Sequence, residues 1–162
     1  MTRPSIAVFP GSFDPFTCGH LDLVQRASQC VDELVIAVGT NRAKTHTYTA
    51  SERVEMIRSV IAGIAHVRVK EMRGTVVDFC HEVDARFVIK GIRGNDDVSA
   101  EMPQAVVNRE IGGVETLWIP TAPEYAHVSS SLVRELFAWG MDISRYVPPQ
   151  IYSFMRDNRA NV

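Results

Sequence analysis

Cysteine is scarce in this sequence, which has three cysteines among its 162 residues. Cys18, Cys30 and Cys80 are odd in number and widely spaced, and no two of them form a Cys-x-x-Cys pair. The pattern therefore argues against a disulfide framework and against a zinc site. It favours a reducing compartment, and we expect a cytoplasmic protein without a metal ion held by protein ligands.

The sequence also has no excess of one charge and no long apolar run. Seventeen Lys and Arg residues against 19 Asp and Glu residues give a formal net charge of −2, which disfavours a surface that binds nucleic acid or anionic membranes. No apolar segment approaches the roughly 20 residues that span a bilayer, and the N-terminal residues lack a signal-peptide pattern. We expect one globular domain over residues 1–162, with no nucleic-acid or membrane partner.

Short apolar runs alternate with helical patterns along the chain. The predicted strands cover residues 6–9, 33–38, 66–69, 86–89 and 115–119, and the predicted helices cover residues 19–30, 50–61, 76–83, 101–111, 130–139 and 149–158. This alternation predicts an α/β fold: a Rossmann-like, doubly wound, five-stranded parallel sheet with strand order 3-2-1-4-5 and C-terminal helices. That order places strand 1 beside strand 4, so a ligand is expected at the carboxyl ends of these two strands. No Gly-x-Gly-x-x-Gly follows the first strand, which disfavours ordinary dinucleotide binding.

The segment after the first predicted strand is the most informative part of the chain. It reads Pro10-Gly11-Ser12-Phe13-Asp14-Pro15-Phe16-Thr17-Cys18-Gly19-His20 and leads straight into a helical pattern. A helix start has unpaired backbone N–H groups and the positive end of the helix dipole, and both favour phosphate. We expect Gly11 and Gly19 to let the backbone approach a ligand closely, and His20 to be a donor that can become cationic near neutral pH. The alternative is an ordinary strand-to-helix turn with a capping histidine.

Three further loops after predicted strands carry cations and hydroxyl groups. They contain Asn41, Arg42 and Lys44, then Lys90-Gly91-Ile92-Arg93, and then Tyr125-Ala126-His127-Val128-Ser129-Ser130-Ser131 at the start of a helix. Cations, hydroxyls and a helix N-terminus together favour a polyphosphate site. For the cations near residue 44 the alternative is a solvated loop, and for the serines it is a plain helix N-cap.

These loops carry a family resemblance. Thr17-Cys18-Gly19-His20 resembles the (His/Thr)-x-Gly-His signature of the nucleotidylyltransferase superfamily. The lead-in Pro-Gly-Ser-Phe-Asp-Pro, the segment 90–93 and the helix start Val-Ser-Ser-Ser-Leu-Val-Arg at residues 128–134 resemble the bacterial phosphopantetheine adenylyltransferases. The likeness runs in order through nearly the whole chain.

The resemblance implies transfer of AMP from ATP to 4′-phosphopantetheine in coenzyme A biosynthesis, giving dephospho-coenzyme A and pyrophosphate, by a homohexamer that uses Mg²⁺. It implies that catalysis rests on Ser12, His20, Lys44 and Arg93, with His20 at the α-phosphate. It implies that ATP is bound by Ser12, Phe13, Gly19, His20, Gly91, Ile92, Arg93, Glu101, Tyr125, Ser129, Ser130 and Ser131. It implies that the phosphopantetheine substrate is bound by Ser12, Lys44, Val76, Lys90 and Asn108. Because the attacking phosphate oxygen is already ionised near neutral pH, no general base is expected.

The chain departs from the family pattern ahead of its fourth predicted helix. Many members have Phe-Glu-Tyr-Glu where this sequence has Val98-Ser99-Ala100-Glu101, and Pro103 follows. Because proline fits only the first turn of a helix, the helix is predicted to start near residues 97–101 or to be kinked. Two alternatives stay open. One is a nucleotidylyltransferase with another acceptor, such as nicotinamide mononucleotide, flavin mononucleotide or an alcohol phosphate, and the other is a non-catalytic regulator of the same fold that binds a nucleotide or coenzyme A.

Overall fold

The computed structural model describes residues 4–40 and 45–158 of the chain. The strands are β1 (Ile6–Gly11), β2 (Glu33–Gly39), β3 (Val67–Met72), β4 (Phe87–Ile92) and β5 (Glu115–Pro120). They form a parallel sheet in the order β3-β2-β1-β4-β5. The predicted α/β class and the predicted strand order are confirmed.

The helices lie between and after these strands. They are α1 (Cys18–Ala27), α2 (Ala50–Ile61), α3 (Val76–Glu82), α4 (Asn95–Gly112), α5 (Ser130–Ala138) and α6 (Pro149–Asp157), with a 3-10 turn at Pro123–Tyr125. A capping box begins α2: Thr49 Oγ1 accepts the backbone N–H of Glu52 at 3.2 Å, and the Glu52 carboxylate accepts the backbone N–H of Thr49 at 2.7 Å. None of the helices in the described ranges is long and apolar enough to cross a bilayer.

Helices cover both faces of the sheet. Successive side chains of a strand point to opposite faces, so each strand contributes side chains to two core layers. In β2, Leu34, Ile36 and Val38 pack into the core layer that also holds side chains of α1, α2, α5 and α6. Val35 and Ala37 pack into the opposite layer, which holds side chains of α3. All five side chains are fully buried. This two-sided burial explains why β2 is a continuous apolar run rather than an alternating one.

Strand β4 is longer than predicted. Pairing with β5 continues beyond residue 89 and ends where Ile92 lies opposite Pro120. Lys90, Gly91 and Ile92 therefore lie on the strand and not in the loop after it. The ladder hydrogen bonds with β5 stabilise this extension although Lys90 and Gly91 are poor strand formers.

Helix α4 begins earlier than predicted, at Asn95, which is two residues ahead of the range 97–101. Gly94 takes an extended N-cap conformation, and Asp96 and Asp97 place negative charge in the first turn, where the helix dipole favours it. Pro103 therefore lies inside the helix, where it removes the backbone N–H that would bond the carbonyl of residue 99. The start at Asn95 corrects the predicted start near residues 97–101.

The sheet order brings the β1–α1 and β4–α4 connections together at its carboxyl edge. Gly91 allows α1 to pack tightly against β4, because a Cβ atom at this position would lie 2.4 Å from Leu23 Cδ1. α1 therefore packs beside the end of β4, where the strand order predicts a ligand.

Candidate active site

A cleft of about 310 Å³, here called the first cleft, lies at the junction of the β1–α1 and β4–α4 connections. It is lined by residues that were predicted to bind ATP or the acceptor substrate, namely Phe13, Gly19, His20, Lys90, Gly91, Arg93, Glu101, Tyr125, Ser129 and Ser130. Motifs far apart in the sequence therefore converge on one cavity of a size suited to a small-molecule ligand.

A second cleft, of about 450 Å³, opens beside the first. Phe13, His20 and Ser130 line both clefts, and Ser12 and Ser131, which were also predicted to be site residues, line only the second. The remaining lining residues of the second cleft are Asp14, Thr45, His46 and Arg134. His20 and the start of α5 thus lie where the two cavities meet.

His20 is held by a capping box at the start of α1. Thr17 Oγ1 accepts the backbone N–H of His20 at 3.3 Å, and His20 Nδ1 accepts the backbone N–H of Thr17 at 3.0 Å. The imidazole takes the place that a Glu or Gln side chain usually has in this motif. Because Nδ1 is an acceptor here, we assign the proton of the neutral ring to Nε2. His20 therefore has one N–H donor in a fixed orientation.

The imidazole of His20 is neutral in the free protein, which corrects the expectation of a cationic donor near neutral pH. Burial, with a smaller contribution from the positive charge of Arg93, lowers the pKa of His20 from 6.5 to about 4. The rings of Phe9, Phe13 and Phe16 pack around the imidazole, with centroids 6.4, 5.0 and 5.4 Å from its own. The histidine is therefore a donor that carries no charge before a ligand arrives.

The lowered pKa of His20 makes the stability of the fold depend on pH. Between pH 6.5 and pH 4 the unfolded chain binds a proton at this histidine and the native protein does not. The contribution is therefore fully present above pH 6.5 and is lost as the pH falls toward 4, by at most about 3 kcal/mol. Urea unfolding at pH 7 and pH 4.5 measures it, and we expect a smaller drop in the free energy of unfolding for His20→Gln than for the wild type. Equal drops in the two proteins would contradict the assignment.

The start of α5 is tied to the loop that carries the first motif. Ser129 Oγ accepts the backbone N–H of Leu132 at 3.1 Å, so Ser129 is the N-cap of the helix. Ser130 Oγ donates to the carbonyl oxygen of Pro15 at 2.8 Å, across the two elements. The positive ends of α1 and α5 consequently lie at the same junction, and a helix N-terminus favours bound phosphate.

Two cations of the first cleft are paired with carboxylates of α4. Lys90 Nζ lies 3.1 Å from Glu101 Oε2. Arg93 donates from Nε and Nη2 to the two carboxylate oxygens of Asp97, at 3.0 and 3.2 Å. Glu101, which was predicted to contact ATP, thus balances the charge of Lys90 in the free protein. The first cleft combines phosphate-binding groups with counter-charges that hold them in place.

Comparison with known proteins agrees with this geometry. Residues 8–136 match the family model described as Cytidylyltransferase-like. The chain is 47% identical over 152 residues to the phosphopantetheine adenylyltransferase of Nocardioides sp., an alignment that covers 94% of both chains. The chain belongs to the phosphopantetheine adenylyltransferase family. The family's members in Streptomyces coelicolor and Clavibacter michiganensis subsp. michiganensis are 43% and 46% identical, over 96% of this chain and 98% of theirs.

Membership of the phosphopantetheine adenylyltransferases confirms the predicted family and the predicted enzyme class, a nucleotidyltransferase. Among the predicted contact residues that the structure describes, three line neither of the two clefts. Lys44 lies outside the described residues. Ile92 lies in the β4–β5 ladder, Val76 packs on the core layer of α3, and Asn108 is buried in α4, where its Oδ1 accepts from Gln104 at 2.9 Å. Their roles stay predictions.

Asp14 is a buried carboxylate of the adenylyltransferase site to which sequence reasoning gave no role. The residue is 3% exposed, and its two carboxylate oxygens accept the backbone N–H groups of Thr47 at 2.8 Å and Tyr48 at 3.1 Å. Its Oδ2 also lies 4.0 Å from Arg134 Nη1. Asp14 thereby joins the first motif to the segment that precedes α2 and to α5. Its place inside the Pro-Gly-Ser-Phe-Asp-Pro lead-in was a signal that could have found it.

Arg53 is a second buried charge, at a helix start that resembles the family's, to which sequence reasoning gave no role. Only 1% exposed, it donates to the carbonyl oxygens of Ser12, Gly39 and Tyr48 at 2.5, 2.9 and 3.0 Å. It therefore connects the residue after β1, the end of β2 and the segment before α2, and one of these residues, Ser12, lines the second cleft. The signal was its position four residues before Ile57, which places it on the buried face of α2.

Proposed function

We propose that this phosphopantetheine adenylyltransferase transfers the adenylyl group of ATP to the phosphate of 4′-phosphopantetheine, releasing dephospho-coenzyme A and pyrophosphate. One observation carries the proposal: His20, a neutral histidine with one N–H donor, lies where two clefts and two helix N-termini meet. Such a junction suits two phosphorylated molecules that react with each other, because it holds both against one donor. The family relationship supports the identity of the two substrates.

The chemistry requires positioning and charge stabilisation. An ionised oxygen of the acceptor phosphate attacks the α-phosphorus of ATP, and a new P–O bond forms. The bond from the α-phosphorus to the oxygen bridging to the β-phosphate breaks, and pyrophosphate leaves with that electron pair. Nε2–H of His20 donates to a non-bridging oxygen of the α-phosphate, where the stabilising effect of a fixed donor is largest in the transition state. The hydroxyl of Ser12 donates to the incoming phosphate.

The other site residues bind the two substrates. Arg93 and the N-terminus of α5 bind the β- and γ-phosphates, through the N–H groups and hydroxyls of Ser129, Ser130 and Ser131. Lys44 and Lys90 hold the phosphate of phosphopantetheine. The remaining contacts are to ATP by Phe13, Gly19, Gly91, Ile92, Glu101 and Tyr125, and to the pantetheine arm by Val76 and Asn108.

The residues of this site would hold Mg²⁺ only together with bound ATP. Within residues 4–40 and 45–158, no group of three or more His, Cys, Asp or Glu side chains is arranged to hold a metal ion. The carboxylates of Asp97 and Glu101 are engaged by Arg93 and Lys90. This donor set fits an ion held mainly by phosphate oxygens and water, as is usual for Mg²⁺. The bound ion would supply charge neutralisation on the phosphates.

The proposal extends to assembly and compartment: a homohexamer in the cytoplasm. Support for self-association comes from exposed apolar side chains on α4 and β5, which are Met102, Val106, Val107, Ile111 and Leu117. Support for a reducing compartment comes from the free thiols of Cys18, Cys30 and Cys80.

Pyrophosphate release tests the proposed function. ATP and Mg²⁺ are offered with 4′-phosphopantetheine, nicotinamide mononucleotide, flavin mononucleotide or glycerol 3-phosphate in parallel. We expect release with 4′-phosphopantetheine alone. Release with another acceptor would overturn the substrate, and silence with all four despite measurable ATP binding would favour the non-catalytic regulator. The segment Val98-Ser99-Ala100, which departs from the family pattern, would then be the first segment to replace with the family's residues.

A further inference from the structure

Arg93 is held along its whole length by a single carboxylate. Asp97 Oδ2 accepts the backbone N–H of Arg93 at 2.9 Å and its Nε–H at 3.0 Å, and Asp97 Oδ1 accepts from Nη2 at 3.2 Å. A long side chain that is otherwise free to adopt many rotamers is thereby fixed in one of them.

The local sequence explains these bonds. Asp97 is the third residue of α4, a position from which a carboxylate usually accepts the backbone N–H of the N-cap residue. The N-cap is Gly94, which makes no side-chain capping bond, and the carboxylate reaches one residue further back, to Arg93. Hydrogen bonds from Arg93 hold the pKa of Asp97 below its usual value, so the carboxylate stays charged at neutral pH.

Asp97 leaves Arg93 with donors for a ligand. A guanidinium group has five N–H donors. Asp97 engages Nε and Nη2, and Nη1 makes no bond to it. Both residues line the first cleft. The ion pair therefore orients the guanidinium without using all of its donors.

We infer that Asp97 is a positioning residue, which fixes the orientation in which Arg93 meets the phosphates of ATP. This inference rests on the proposed function, because that function assigns Arg93 to those phosphates. Ordering Arg93 before ATP arrives reduces the conformational freedom lost on binding, and this strengthens the affinity. Asp97 acts through Arg93 and contacts no substrate.

Asp97→Asn tests the inference, because asparagine keeps the size of the side chain but has one acceptor oxygen and no charge. We expect the Kd of Mg·ATP, measured by calorimetry without an acceptor substrate, and the KM for ATP to rise about tenfold, while kcat changes less than about threefold. Asp96→Asn is the matched control, since it removes the same charge one residue earlier in the first turn of α4. It should change the Kd less than about twofold.

A double-variant comparison separates positioning from a structural role. In an Arg93→Met background, Asp97→Asn should cause no further loss of ATP affinity, because its effect passes through Arg93. A further loss in that background would overturn the inference. Unchanged or tighter ATP binding by Asp97→Asn alone would also overturn it, and tighter binding would mean that Asp97 competes with the phosphates.

A second variant and a second readout keep the outcomes distinct. If Asp97→Asn does not fold, Asp97→Glu replaces it: the longer side chain keeps the charge but misplaces the guanidinium, and we expect about a threefold rise in the Kd of ATP. Wild-type affinity in that variant would contradict the inference. Failure of the wild type to release pyrophosphate would overturn the proposed function, whereas the calorimetry would still test Asp97.

Discussion

We expect His20→Ala to lower kcat for pyrophosphate release by about a hundredfold or more, which is the usual effect of removing a donor that stabilises charge in the transition state. The Kd of ATP should change little, because this bond strengthens only as the α-phosphate is attacked. Steady-state kinetics with 4′-phosphopantetheine and calorimetry with ATP measure the two quantities separately. The large effect follows from the fixed ring of His20, whose Nδ1 is bound by Thr17 and whose Nε2 carries the proton.

The matched control is His81→Ala, the same substitution at an exposed histidine of α3, whose Nε2 lies 2.9 Å from the carbonyl oxygen of Gly112. We expect this variant to keep kcat within about twofold of the wild type. Far-ultraviolet circular dichroism establishes that both variants are folded. A turnover of His20→Ala close to that of His81→Ala would show that the histidine is only a helix cap.

Arg53→Met should reduce the free energy of unfolding by about 2–5 kcal/mol. The substitution leaves the carbonyl oxygens of Ser12, Gly39 and Tyr48 without the donor that binds all three. An unpaired buried carbonyl group costs about 1–3 kcal/mol, and relief from burying the guanidinium charge offsets part of the sum. Because Ser12 faces the second cleft, kcat should fall as well. Urea unfolding monitored by circular dichroism measures the change in stability.

Arg58→Met is the control for this prediction, because Arg58 lies on the same helix but its side chain is 57% exposed and pairs with Glu55 at the surface. An exposed ion pair contributes little, so we expect a change below about 1 kcal/mol. Equal stabilities of Arg53→Met and Arg58→Met would mean that water replaces the guanidinium at the three carbonyl groups.

The sheet and the convergence of the motif loops could be predicted from the sequence because local patterns determine them. The runs that became β1 and β2 are apolar on both faces, which is typical of parallel strands covered by helices. Once the strand order follows from this alternation, the segment ending at His20 and the segment ending at Arg93 must meet at one edge. His20 and Arg93 line the first cleft together because these two segments meet at that edge of the sheet.

Features that depend on distant partners could not be predicted in the same way. β4 extends through Ile92 because β5 supplies ladder partners, and no local signal marks that extension. α4 includes Pro103 because the helix already begins at Asn95, and no local signal in the sequence marks that early start. The neutral state of His20 depends on three phenylalanine rings, and their packing around it is a tertiary property.

The fate of the α-phosphorus of ATP distinguishes adenylyl transfer from every other phosphoryl transfer. ATP labelled at the α-phosphorus is incubated with Mg²⁺, 4′-phosphopantetheine and the wild-type protein, and the products are separated. We expect the label to pass into dephospho-coenzyme A while the pyrophosphate is unlabelled, and we expect His20→Ala to slow the transfer. Label that remains in ATP, or an acceptor product labelled only when ATP carries label in its γ-phosphate, would contradict adenylyl transfer at this site.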